Sequence, residues 1–165
     1  MILFLPLEDS PGPLQLERGH PRIWWAIQSY EKLASLVLAL VFPQHLAAGI
    51  QVHMPRSTGF IIVPPSVSGF GPQCLLARKL LDTEEEVLIA APEIAFQPEG
   101  VRNALAQWRT SPARLGYTQS HGIVWWRAGR DFVKTLDEMA TTADWPTCLH
   151  NVVPVTVEIP RQWQV

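Results

Sequence analysis

The sequence predicts an α/β fold: a single domain with a mixed, partly parallel sheet and packed helices. Three observations point there. Short apolar or β-branched runs alternate with longer stretches of helical periodicity, the order of a βαβ protein. The connections are short and rich in Gly and Pro, and no linker divides residues 1–165 into two domains. Hydrophobic residues make up 47% of the chain, enough for a substantial core at this length. A two-layer α+β sandwich is the alternative, because the first half carries a candidate hairpin.

Residues 1–7 (MILFLPL) are apolar and bounded by turn residues, so they read as a buried strand or a docked arm. EDSPGP breaks the chain, and LQLE at 14–17 alternates weakly, as an edge strand or a loop. The longest feature spans residues 21–42. Ile23, Ile27, Tyr30, Ala34, Val37 and Val41 fall on one helix face, and Leu33, Leu36 and Leu40 widen it. Pro21 suits a first helical turn and Pro43 ends the run, which predicts one helix of membrane-span length. Glu31 and Lys32 lie near its middle, where a charge costs roughly 2.5–3.5 kcal/mol in a bilayer. A core helix is therefore the reading, with no membrane association.

Residues 44–49 add a helical turn, and 51–54 and 59–63 read as strands joined by a hairpin loop at PRST. A helix follows over 72–81 (PQCLLARKLL), then a strand at 86–91 (EVLIAA). Pro98 opens a helix with Val101, Leu105 and Trp108 on one face. GIVWW at 122–126 is a strand, and residues 130–142 form a helix with Phe132, Val133, Leu136 and Met139 inward. Residues 151–159 alternate as a last strand, which Pro154 confines to an edge.

Composition bounds function from several sides. Charged residues are only 17%, against about 25% in ordinary domains, while Pro and Trp are abundant at 15 and 7. Such a surface suits a chain that works against a partner. A net charge of −2 excludes a global attraction to nucleic acid or anionic membrane. Two cysteines make no disulfide framework, so a reducing, cytoplasmic setting is expected. MILFLPL lacks the basic flank of a secretory signal. No cofactor motif is present, and Cys148 with His150 is too small a set for a metal site.

Charge is nonetheless segregated. Residues 82–99 hold six acids and no base; residues 101–134 hold six bases and one acid. Arginines near tryptophans are the vocabulary of protein hot spots and of single-stranded nucleic-acid binding. The expectation is a non-enzymatic subunit or adaptor of a larger assembly, in contact with other protein subunits and, as a variant, single-stranded nucleic acid. Its partner face would comprise Arg102, Arg109, Arg114, Trp125, Arg127 and Arg130. In the strand, Trp125 shares a face with Arg127, which is hard to bury, so Trp125 is assigned outward and Trp126 to the core.

The alternative is a small enzyme or ligand-binding protein. SVSGFG at 66–71 lies between a strand and a helix, where α/β proteins hold ligands, and offers Ser66, Ser68, Gly69 and Gly71. It matches neither GxGxxG, a P-loop nor GxSxG. Cys74, near a helix N-terminus, is the candidate nucleophile of that alternative and otherwise an inert core thiol. The acids Asp82, Glu84, Glu85 and Glu86 read as a solvated turn.

Overall fold

The computed structural model describes residues 1–6, 12–30, 33, 36–41, 58–67, 70–90, 98–117, 123–139 and 155–156. At its centre lies β1 (Ile2–Pro6), paired in parallel with β4 (Leu36–Val41) on one side and β6 (Val87–Ala90) on the other. Beyond β4 comes β5 (Thr58–Ile62), and beyond β6 come β8 (Ile123–Trp126), β7 (Leu115–Tyr117) and β9 (Val155–Thr156). The order among the described residues is thus β5-β4-β1-β6-β8-β7-β9, with β8 alone antiparallel to its neighbours. A separate two-stranded hairpin joins β2 (Leu16–Glu17) to β3 (His20–Pro21).

The central strands carry no polar side chains, so both faces of the sheet must be covered. On one face Leu3, Leu5, Leu88, Ala90, Ile123 and Trp125 pack against α1 (Arg22–Tyr30) and α4 (Pro98–Thr110). On the other, Ile2, Phe4, Ile89, Val124 and Trp126 meet α2 (Phe70–Leu75), α3 (Arg78–Leu81) and α5 (Gly129–Met139). Helices on both faces make a three-layer α/β domain, not the two-layer sandwich.

The expected long helix at 21–42 is two elements. Helix α1 ends at Tyr30, and LVLALV is the parallel strand β4. Six consecutive apolar residues fit a helix face or a doubly buried strand equally well, and the helical period upstream carries over into them by coincidence. No helix among the described residues is long and apolar enough to cross a membrane. Strand β5 pairs in parallel with β4, from Val37↔Thr58 to Val41↔Ile62, instead of serving as a hairpin arm. Residues 44–49 and 51–57 lie outside the described residues.

The helix expected at 72–81 is broken between α2 and α3 by a turn at Leu76 and Ala77. Strand β6, helix α4, strand β8 and helix α5 fall where the periodicity puts them. The short β7 was not expected, and its cause is a side chain on another element. A β-carbon on Gly116 would fall inside the Trp108 indole, so glycine is required for α4 to lie on β7. Strand β9 is the edge strand, as Pro154 implies; the rest of 151–159 is outside the described residues.

The outward assignment of Trp125 is overturned. Trp125 is 0% exposed and Trp126 6%. Trp125 stacks on Trp108 with centroids 6.1 Å apart, and Trp126 lies 5.8 Å from the Phe132 ring. Arg127 did not force its face outward because it stands just past the strand end, where its head reaches backbone carbonyls. Trp125→Ala and Trp126→Ala should each cost about 3–5 kcal/mol and lower the melting temperature sharply. A Trp125→Ala protein that melts like wild type would refute the doubly buried strand. Gly116→Ala should also destabilise, by roughly 1–3 kcal/mol, through overpacking against Trp108.

Candidate functional site

Strands β1, β4, β5, β6 and β7 all end at one edge of the sheet, at Pro6, Val41, Ile62, Ala90 and Tyr117. From β1 the chain moves outward through β4 to β5. It then crosses back to β6 and continues outward on the opposite side. Connections that leave adjacent strands in opposite directions open a crevice at the carboxyl ends, here between β1 and β6, and this is where open α/β sheets hold ligands.

Two described segments stand at that edge. After β5, Val63 turns inward while Pro64, Pro65 and Ser66 are exposed, and the Val67 N–H closes the turn on the Pro64 carbonyl at 2.9 Å. Ser66 therefore presents its hydroxyl to solvent beside the strand ends. Gly71 lies in the first turn of α2, and Ser68 and Gly69 are outside the described residues.

The second segment is the β2–β3 hairpin with the start of α1. Arg18 and Gly19 both take positive φ, 51° and 83°, as the two central residues of a tight hairpin turn. His20 then stacks on Trp24, with ring centroids 4.1 Å apart and planes 15° apart. Trp25 stands edge-on to both rings and donates its indole N–H to the Glu17 carbonyl at 2.8 Å. Arg22 approaches the Glu17 carboxylate at 3.4 Å. Helix α1 carries the chain from the end of β1 back toward the start of β4, so its first turn belongs to the carboxyl edge. This cluster was missed from sequence; Arg-Gly between short alternating runs was the available signal.

Of the residues expected to form a partner face, Arg109, Arg114, Arg127 and Arg130 make polar contacts within the chain. Arg109 grips Glu86 with two hydrogen bonds, Nε to Oε1 at 2.7 Å and Nη2 to Oε2. Arg130 pairs with Glu84, and Arg114 approaches Asp131 at 3.7 Å. Arg127 donates to the carbonyls of Ser111 at 2.7 Å, Ala113 at 3.1 Å, Arg109 at 3.3 Å and Trp108 at 3.4 Å. Its guanidinium also sits 5.4 Å from the Trp125 ring centroid. Arg102 is exposed on α4. Two pairs, Arg109 with Glu86 and Arg130 with Glu84, join the basic segment to the acidic one, and Trp125 lies in the core.

Burial pushes the Glu86 carboxyl up, but the hydrogen bonds and charge of Arg109 outweigh it and hold the group below its ordinary value. The Trp125 indole N–H makes no well-formed hydrogen bond, yet it lies close enough to favour the charged carboxylate. Burial alone pushes the Tyr30 phenol well above its ordinary value, so it is neutral. Cys74 is 0% exposed, packed with Leu81 and Val63 in the second core, which removes it as a nucleophile. Among the described residues no group of three His, Cys, Asp or Glu side chains is placed to hold a metal ion.

The fold is similar to that of solved α/β structures. A crystal structure of 4-diphosphocytidyl-2C-methyl-D-erythritol synthase matches 98% of this chain and 90% of its own, with a TM-score of 0.71 at 11% identity. The synthase of the same name from Anaerococcus prevotii DSM 20548 matches 97% of this chain and 89% of its own, with a TM-score of 0.72 at 7% identity. No family model and no curated protein matches the sequence. Both neighbours are enzymes, which overturns the expected non-enzymatic subunit or adaptor and leaves the small-enzyme alternative as the better fit.

Two outcomes follow from this geometry. Because the folded-state value of Glu86 is depressed, its contribution to stability is present above the ordinary Glu value of about 4.3 and is lost as pH falls through the lower folded value. Glu86→Gln should therefore be less stable than wild type near neutrality, by about 1 kcal/mol or less for a partly exposed pair, with the gap closing below pH 4 in acid melts. Cys74 should resist iodoacetamide in the native protein and react fully once denatured, as thiol counting before and after urea will show.

Proposed function

We propose that the chain is a small enzyme that binds a nucleotide at the carboxyl edge of its parallel strands. The observation that carries this reading is the reversal of strand order at β1, which opens a ligand crevice between β1 and β6. The likeness in fold to two synthases supports it, and the diphosphocytidyl group in their name points to a cytidine nucleotide as the class of substrate.

One wall of the site is the turn after β5 that carries Ser66. The exposed Ser66 hydroxyl is available to hydrogen-bond a phosphate or sugar oxygen. Gly71, in the first turn of α2, stands beside it, and glycine there allows close approach of a ligand to the backbone. Cys74, behind them, supports the wall by packing.

Isothermal titration with CTP, UTP, ATP and GTP tests the reading. At least one should bind saturably, and Ser66→Ala should weaken it about two- to tenfold, the loss of one net hydrogen bond. Failure of all four to bind at millimolar concentration would reject it.

A further inference from the structure

Of the described surface, the hairpin leading into α1 is built least like a structural turn. Its tip places Arg18 at positive φ, a conformation that favours Gly, Asn or Asp and strains a long side chain. Arg18 is exposed and makes no ion pair among the described residues. Cross-strand register sets Glu17 opposite His20, so both project from the same face of the hairpin. The Glu17 charge is met by Arg22 at 3.4 Å, and its carbonyl is taken by Trp25.

What remains on that face is a ring stack. His20 lies flat on Trp24 at 4.1 Å, its position fixed by Trp25 standing perpendicular at 5.8 Å. One face of the imidazole is covered by Trp24, and the residue as a whole is exposed. A planar ring held flat over a half-buried indole and open on its outer side is the geometry on which nucleic bases stack. The start of α1 carries it at the carboxyl edge of the sheet, the edge at which the crevice opens.

Resting on the nucleotide reading above, we propose that the outer face of His20, backed by Trp24, is the stacking platform for the base of that nucleotide. Arg18 supplies positive charge on the same hairpin, complementary to a phosphorylated ligand. The occupant is a nucleotide because base stacking and anion attraction meet on one hairpin. The platform sets base affinity, while Ser66 follows β5, two strands from β1, about 10 Å at the usual strand spacing.

The experiment compares CTP with inorganic tripolyphosphate, which has the charge but no base, by calorimetry on the full chain. His20→Ala, at an exposed position, and Trp24→Leu should each weaken CTP on the order of tenfold and leave tripolyphosphate unchanged. In wild type, the His20 ring-proton resonances should shift with CTP and stay in place with tripolyphosphate. Undiminished CTP binding by His20→Ala would overturn the platform while leaving the nucleotide reading intact. Equal loss of CTP and tripolyphosphate would overturn it too, because the side chain would then be serving the phosphates. Absence of binding by wild type to CTP and to the other three nucleotides would remove the reading itself, and the platform with it.

Discussion

A sheet with almost no polar side chains must be covered on both faces, and much else in this molecule follows from that requirement. Strands β1, β6 and β8 read ILFLP, VLIA and IVWW. Leaving either face wet would expose large aromatic and aliphatic areas, each side chain worth roughly 1.5–3 kcal/mol of burial. Helices α1 and α4 must therefore dock on one face, and α2, α3 and α5 on the other. Polar chemistry is driven to the two edges. The amino edge of the parallel strands takes the Glu84 and Glu86 ion pairs, and the carboxyl edge keeps the exposed Ser66, the Glu17–Arg22 pair and the ring stack.

The ion-paired edge shows how a partly buried cation can hold structure without an acid. Arg127 meets carbonyls from the end of α4 and the turn that follows, groups that a helix terminus leaves unsatisfied. It thereby closes that helix and covers the outer end of the Trp125 stack. Arg109 and Arg130 fasten the same region to Glu86 and Glu84, so one acidic turn receives two arginines that lie far away in sequence.

The fold class was legible because it rests on alternation of element types, and alternation survives errors in individual elements. Strand β6 and helices α4 and α5 were legible for the same reason, each having a period that only one structure satisfies. The split of 21–42 was not, since Leu36 to Val41 are apolar at every position and carry no period of their own. Strand β7 was invisible because its middle residue, Gly116, answers to Trp108 on another element. At the candidate site, Ser66 was readable from its place between strand and helix. The His20–Trp24 stack was not, because it depends on a two-residue turn whose Arg gives a weak signal. Part of the charge segregation has a partner within the chain, since Arg109 and Arg130 answer Glu86 and Glu84.

Gly116 and Trp108 share one space, and neither can be described as a residue with its own tolerance. The indole occupies the volume where a side chain on β7 would begin. In any sequence that keeps this fold the two positions should vary as a pair, bulk at 116 appearing only where 108 has shrunk. Single substitutions at either one then report the unmet half of the pair. A double replacement such as Gly116→Val with Trp108→Leu conserves more of the filled volume than either change alone, so the path between the two solutions runs through a less stable intermediate whichever position changes first.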